Sequence, residues 1–473
     1  MSSNKKSICI IGSGPGGAVI AVLMAELGFS VTLLEKGSED PEIATEDNYI
    51  ANCKSKNLEL RHAFQIGGTS NLWSGLIAKY RRKDFDEISA CKDFFPSMEN
   101  HYEFALETLG IKNHAAIFKD SIIKSNLIRH SLFGLKKNWR AKDYLHKKIK
   151  DRKLENLRII SNASVEKIIH VNGIAKSVVL HNRQESLNAD IFILAAGGLG
   201  SPMLLLKSGY KNKNIGKNLS THPKGKIASL KFKNLNGFNF ILKNLSFKKR
   251  KDYYEKICFS NLDSNCENFH YVSISKKRFD FFKKIIDKSF KFSRDLSNPK
   301  LEPYLRMLNK FGIRLMFFAK SLDSIFSLFS KNYDVNLYMA QKHLSSNRIF
   351  FDKSFNLPRI DYKICKEDID SAISLFDKVN SYFLQESVEL TLKEDWIENL
   401  VLIHSHFLST CRIGMHEKDG VVDSNLKLFE SKNVFILDSS VFPCSGYQNP
   451  VLTIIALAKR LSEFLHQEFN AKS

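Results

Sequence analysis

Ser7-Ile8-Cys9-Ile10-Ile11 is an uninterrupted apolar run of strand length, as a strand covered on both faces would be. Gly12-Ser13-Gly14-Pro15-Gly16-Gly17 follows, then Ala18 to Leu27, apolar and of helical length, stopping before Gly28. A second short strand, Val31 to Leu34, closes on Glu35. Farther along, Phe192-Ile193-Leu194 reads as a buried strand that leads through small residues, Ala195 to Ser201, into a helix started by Pro202. Alternation around Lys226 to Phe240 and Val335 to Tyr362 predicts strands of a sheet. Asn449-Pro450 opens a last helix, Val451 to Phe464.

Between the two alternating regions the period changes to that of a helix. Phe279, Phe282, Ile286 and Phe290 share one helical face opposite Lys283, Lys284, Asp287 and Lys291. Phe311, Leu315, Phe318, Leu322, Ile325 and Phe329 form a second stripe. Both stripes read first as core faces packed on a sheet. The sharper alternative is peripheral contact with an anionic membrane through 276–331, where 14 basic and 5 acidic residues fall. Arg314, Lys320 and Asp323 interrupt the most apolar stretch, so it does not read as a membrane span.

Composition narrows the class. At 473 residues with 43 % hydrophobic side chains, the chain suits two or three globular domains, which excludes a disordered or disulfide-stapled mini-protein. The eight cysteines are scattered without a C-x-x-C pair or zinc-ligand spacing, so a reduced cytoplasmic protein with no metal site is expected. The net charge of +21 is uneven: residues 1–110 carry 11 basic and 15 acidic groups, 401–473 carry 7 of each, and 111–400 hold the surplus of +25. Such a surplus admits nucleic acid, an anionic membrane or an acidic substrate as a partner, beside plain enrichment in lysine.

The first motif carries chemistry. Gly12 permits a tight turn, Gly14 lets backbone approach a pyrophosphate, and Gly17 allows close packing of helix on strand. The helix amino terminus offers free N–H groups to phosphate, and Glu35 is placed to accept from ribose hydroxyls. Strand, loop, helix, second strand and terminal acid together predict an adenine-dinucleotide site, without deciding between nicotinamide and flavin. One such unit is present, so one dinucleotide is expected.

Four later stretches decide between them. Gln65-Ile66-Gly67-Gly68-Thr69-Ser70-Asn71-Leu72-Trp73-Ser74-Gly75 is glycine-rich with amide and hydroxyl donors, and Phe192 to Gly209 holds the strand, turn and helix above. Asn214-Ile215-Gly216-Lys217-Asn218-Leu219-Ser220-Thr221-His222-Pro223 comes next. Last come His406 to Gly414, then Asn433 to Pro443 and Asn449 to Arg460. In this order the set resembles the glucose-methanol-choline (GMC) family of FAD-dependent oxidoreductases, closest in pattern to its pyranose-oxidase-like branch, over about half the chain.

The resemblance implies an α/β fold: a Rossmann-type FAD-binding domain built from discontinuous segments (1–80, 155–225 and 400–473), a connecting helical segment (81–154) and an inserted α+β substrate domain (226–399). It implies oxidation of a CH–OH group, of a sugar or polyol-like alcohol, by hydride transfer to flavin N5. His406 would be the base, favoured over His404 by the motif's register, and Asn449 would hold the same substrate oxygen. Cofactor contacts would come from Gly12, Gly14, Pro15, Gly16, Gly17, Glu35, Gly67, Gly68, Thr69, Asn71, Leu72, Val165, Ala196, Gly197, Asp438, Ser439, Asn449, Pro450 and Val451. No metal ligand is implied. His222 would lie away from the catalytic pair. Leu72 stands where some relatives carry a flavin-linked histidine, so the FAD would be non-covalent, and Ser409 stands where the family usually has glycine. The electron acceptor is open. Rival readings are a dehydrogenase of a hydrophobic or sterol-like alcohol and a basic flavin-bearing nucleic-acid binder, for which no recognition motif is visible.

Overall fold

The computed structural model describes residues 6–39, 42–43, 50–53, 58–59, 63–80, 94–111, 121–123, 127–135, 139–181, 186–244, 248–249, 253–261, 270–276, 333–352, 354, 357–403 and 406–470. The basic aromatic stretch 277–331 therefore lies outside the described residues, as does His404. No helix among the described residues is long and apolar enough to cross a membrane.

A five-stranded parallel sheet carries the first motif. Its order is Leu157–Ile160, Ser30–Leu34, Ser7–Ile11, Ile191–Leu194 and Val434–Ile436, so residues far apart in sequence meet side by side. Ile8, Ile10, Val31, Leu33, Ile193 and Leu194 are all buried, as a parallel sheet covered on both faces requires. Helix Pro15–Glu26 and the C-terminal helix Val451–Asn470 pack against this core, the latter running six residues beyond its predicted end.

A second, antiparallel sheet of nine strands runs Val388–Leu392, Lys224–Phe232, Tyr333–Tyr338, Tyr271–Lys276, Tyr253–Asn261, Leu127–Leu135 and Leu76–Ile77, with two further short strands at its side. Its two faces differ. Ile257, Phe259, Val272, Ile274, Val335 and Leu337 alternate onto one face and pack with Ala372, Leu375, Phe376, Val379 and Phe383 of helix Lys366–Gln385. The opposite face carries Lys256, Cys258, Ser260, Tyr271, Ser273, Asp334, Asn336, Tyr338 and Lys224.

Three expectations change. The segment 81–154 is not only helical: beside helices Phe94–Thr108 and Ala141–Arg152 it supplies strands Ser121–Ile123 and Leu127–Leu135, because the large sheet needs Leu127–Leu135 as the partner of Tyr253–Asn261. Within Lys226 to Phe240 the strand stops at Phe232 and a helix, Leu235–Asn244, begins. Its buried Gly237 packs so close to the Ser387 carbonyl that no side chain fits there.

Pro202 does not start its helix either. The helix is Gly197–Lys207, with Pro202 inside it. Proline lacks the N–H that the Gly198 carbonyl would receive four residues earlier. The Thr410 hydroxyl takes that place, donating to the Gly198 oxygen at 2.7 Å. Thr410→Val, similar in shape, should therefore destabilise the fold by about 1–3 kcal/mol in urea titration, the cost of a buried carbonyl left without a donor; a cost under ~0.5 kcal/mol would remove this role.

Candidate functional site

The site is built on the ends of the parallel strands. Gly12 has φ 103° and leaves no room for a side chain, since a Cβ would sit 2.5 Å from the Ala195 carbonyl oxygen. Gly17 faces the Gly12 carbonyl so closely that helix and loop could not meet with any larger residue. By contrast, a Cβ on Gly14 would meet nothing within 4 Å, and no side chain caps helix Pro15–Glu26. Open space thus faces uncapped helix N–H groups, the arrangement that receives a phosphate.

Glu35 is buried at 6 % exposure, and its carboxylate holds the loop: one oxygen accepts from the Ser13 amide at 3.0 Å and the Ser13 hydroxyl at 2.6 Å, the other from the Gly37 amide at 3.0 Å. A carboxylate accepts about four hydrogen bonds, so one site remains for a ribose hydroxyl. The Ser13 hydroxyl also accepts from the Gly67 amide at 2.9 Å, which draws the second glycine segment over the first. In that segment the Asn71 amide donates to the carbonyls of Ile66 at 2.9 Å and Gly68 at 3.0 Å, so it shapes its own turn, while Leu72 is 42 % exposed. Thr69 lies in the same 3-10 turn, and Val165 opens the strand Val165–Val171.

Asp438 joins two helix starts. Its carboxylate accepts from the Gly197 amide at 2.9 Å, the Ser201 hydroxyl at 2.5 Å and the Ser440 amide at 2.8 Å. Burial pushes its pKa up, against those donors. Ala196 is the residue that enters the first of these helices, and Ser439 donates to the Phe407 carbonyl at 2.7 Å. The segment that follows His406 is thereby fixed to the end of the parallel sheet. Ser409 has φ 69°, which explains why glycine suits that position: the left-handed backbone costs a side chain about 1–2 kcal/mol.

The centre of the site is a pair of histidines 184 residues apart. His406 Nδ1 lies 3.1 Å from His222 Nδ1, with the rings nearly perpendicular at 84°, and His222 Nε2 lies 3.0 Å from the Ser445 carbonyl oxygen. His222 was expected away from the catalytic pair, yet it touches His406; the antiparallel bridge between Ser220 and Leu408 brings the two segments together. Its register was readable, but not its partner.

The contacts assign the protons. A carbonyl only accepts, so His222 Nε2 carries hydrogen. Burial depresses the His222 pKa to about 4, so the ring is neutral and its Nδ1 accepts. His406 must then donate from Nδ1. Its own pKa is held well below 6.5 by burial, by His222 and by Lys224, so it too is neutral and keeps a lone pair on Nε2.

Asn449 stands at the end of a loop tied down on several sides. The Tyr80 hydroxyl donates to the Ser445 carbonyl at 2.8 Å, the Ser445 hydroxyl accepts from the Gln341 amide at 2.7 Å, and the Asn449 amide donates to the Leu76 carbonyl at 2.9 Å. Pro450 precedes helix Val451–Asn470 and accepts at its carbonyl from the Ile454 amide at 2.9 Å.

Two GMC oxidoreductase models match residues 109–224 and 353–458, and an NAD(P)-binding Rossmann-like model matches 10–41. The chain belongs to the GMC oxidoreductase family. It is similar to long-chain-alcohol oxidase FAO3 of Arabidopsis thaliana, 21 % identical over 97 % of this chain and 67 % of that protein, and to FAO4B of the same plant, 22 % identical over 96 % and 66 %. The chain thus spans about two thirds of the length of these curated relatives. A 2-methyl-1,2-propanediol dehydrogenase of Mycolicibacterium austroafricanum is 32 % identical over 14 % of the chain. Among solved structures, pyridoxine 4-oxidase from Mesorbium loti and an FAD-dependent oxidoreductase from Chaetomium thermophilum each share the fold at TM-score 0.60, with 16 % identity over 98 % of the chain and 99 % and 100 % of theirs.

The cofactor of GMC oxidoreductases is FAD, and the residues fit it. Uncapped N–H groups at Gly16 and Gly17, open space at Gly14 and the spare acceptor of Glu35 are what a dinucleotide needs. No group of three or more potential metal ligands occurs among the described residues.

Two outcomes follow. Because the His406 pKa lies well below 6.5, its neutral form persists into acid. The rate of anaerobic flavin reduction should stay level from pH 8 to below pH 6.5 and fall only beneath that; an acid limb centred at 6.5 or above would contradict the assignment. With leucine at position 72, acid-denatured and filtered protein should release all its yellow colour into the filtrate, and colour retained on the protein would show a covalent link.

Proposed function

We propose that this protein oxidises the CH–OH group of a polar, hydroxyl-bearing alcohol of the sugar or polyol type, with His406 as the base. The observation that carries the reading is the His222 contact, which leaves Nε2 of His406 with a lone pair at neutral pH. A base must be unprotonated before reaction and near its substrate, and a neutral, oriented imidazole meets the first condition. Asn449 has one amide N–H taken by Leu76, so its second N–H and its oxygen remain for the substrate oxygen. FAD, when bound, supplies the hydride acceptor. Gly12 to Gly17, Glu35, Gly67, Gly68, Ala196, Gly197 and Asp438 would hold it. His406 takes the hydroxyl proton at Nε2, and Lys224 favours the alkoxide that develops.

A second reading, a hydrophobic alcohol, is favoured by the two plant relatives, which are long-chain-alcohol oxidases. Against it stands the polar face of the large sheet, where Lys256, Ser260, Ser273 and Tyr271 are buried and Tyr271 packs with Tyr447 of the Asn449 loop. Contact of 276–331 with an anionic membrane would suit either substrate, and co-sedimentation with liposomes that ignores anionic lipid would remove it.

The test is anaerobic mixing of the FAD-loaded protein with sugars, polyols and long-chain alcohols while flavin absorbance is followed. Polyols should bleach it faster than long-chain alcohols. His406→Ala should bleach ~10²- to 10⁴-fold more slowly with FAD content unchanged; a loss under threefold would dismiss His406 as the base.

A further inference from the structure

The polar face of the large sheet holds a buried lysine that meets no carboxylate among the described residues. Lys256 is 3 % exposed, on strand Tyr253–Asn261, and its nearest described partners are aromatic. The ammonium lies 3.8 Å from the centre of the Tyr338 ring, 5.0 Å from that of Tyr271, and 3.5 Å from the Tyr271 hydroxyl. No carboxylate contacts it among the described residues. The neighbouring Lys226 shows the contrast: half-exposed, it is nonetheless paired with Asp334 at 2.8 Å.

An isolated ammonium taken out of water is costly, and two ring faces recover only part of that cost. The Tyr338 phenol is drawn below its usual pKa of 10, chiefly by Lys256 and Lys224 against the opposing effect of burial. The corner is therefore electropositive among the described residues, and an anion would suit its field.

The corner also adjoins the catalytic loop. Lys224, Tyr338 and Tyr271 are directly opposite one another across three strands. Tyr271 stacks on Tyr338 at 4.5 Å and meets Tyr447 edge-on at 5.9 Å. Tyr447 is two residues from Asn449, and Leu76, whose carbonyl holds the Asn449 amide, packs in the same cluster as Tyr271 and Tyr338. Lys256 is thus linked to the Asn449 loop through Tyr271 and Tyr447.

We propose that Lys256, with the hydroxyls of Tyr271 and Tyr338 and the added charge of Lys224, binds an anionic group of the substrate, so that the alcohol oxidised carries a carboxylate or a phosphate. This deepens the reading of the site as an alcohol-oxidising centre and rests on it for the word substrate. The anion itself takes no part in bond making; it places the hydroxyl. Tyr271 and Tyr338 stack beside Lys256, and aromatic rings of this kind also pack on a ring-shaped ligand.

Binding and turnover test the two claims separately. With the FAD-loaded protein, calorimetry and perturbation of the flavin spectrum should show benzoate binding at least tenfold more tightly than benzamide, a near-isosteric neutral probe. Lys256→Met should erase the difference and Lys256→Arg retain it, each with FAD content as in the parent. Equal binding of the two probes by the parent, or a difference that survives in Lys256→Met, would overturn the proposal without need of any variant's activity. Competition by inorganic phosphate against benzoate separates the two anion classes: strong competition assigns a phosphate, weak competition a carboxylate. In anaerobic reduction, 4-(hydroxymethyl)benzoate should exceed benzyl alcohol in kcat/KM at least tenfold, mostly through KM. A benzoate preference with no flavin reduction by any alcohol would leave the anion corner standing and remove the alcohol-oxidising reading.

Discussion

One hydrogen-bonded line, from the Ser445 carbonyl through His222 to His406, ties together three parts of the chain that have little sequence in common. His222 leads into strand Lys224–Phe232 of the large sheet, His406 precedes the segment 409–413 whose amides donate to the carbonyls of 439–441, and Ser445 belongs to the loop before the final helix. Because a carbonyl can only accept, the whole line has one proton arrangement, and its free end is a lone pair on His406. Desolvation keeps both rings neutral, so the same burial that makes the line costly to protonate makes it useful. A carboxylate in place of His222 would orient His406 equally well but would raise its pKa. A neutral imidazole orients it while leaving the proton affinity low.

The two faces of the large sheet show how a β-pattern separates stability from chemistry. In Tyr253–Asn261, Ile257 and Phe259 face helix Lys366–Gln385, while Lys256, Cys258 and Ser260 face the other way. The apolar face supplies the burial that holds the sheet; at roughly 25 cal/mol per Å², its aliphatic and aromatic side chains each contribute about 1.5–3 kcal/mol. The opposite face gives up that contribution, burying Tyr271, Ser273 and Lys256 almost completely. Buried polar groups are retained where something else needs them, and here they end beside the Asn449 loop.

What could be read from the sequence was local. The strand Ser7–Ile11 and the glycine loop were legible because strand, turn and helix are contiguous and each glycine has a steric reason within the motif. Glu35 was legible as an acid at a strand end, though not that Ser13 would occupy most of its carboxylate. Pro202 misled because a proline normally marks a helix start; its tolerance inside Gly197–Lys207 depends on Thr410, 212 positions beyond the Gly198 carbonyl it serves. Helix Leu235–Asn244 carries Phe238, Phe240 and Leu242 at every second place, a strand-like alternation that its packing overrides. The His222 contact and the Lys256 corner were invisible for the same reason: each is made by strand pairing or loop docking over long separations, and neither histidine nor lysine announces its partner.

The charge of +21 also acquires a place. The parallel sheet and its loops offer a dinucleotide's phosphates backbone N–H groups and an uncapped helix end. Basic side chains are found on the large sheet, where Lys224 adds to burial in depressing both histidines and, with Lys256, draws down the Tyr338 phenol against burial. A positive field at that spot would lower the energy of an alkoxide and of any anion bound alongside, and it lowers the pKa of His406, the base of the proposed reaction. The first effect eases proton loss from the alcohol and the second makes the acceptor weaker, so the two oppose each other in driving force. They agree in state: at neutral pH His406 is unprotonated, and in the proposed reaction the negative charge that forms would have somewhere favourable to reside.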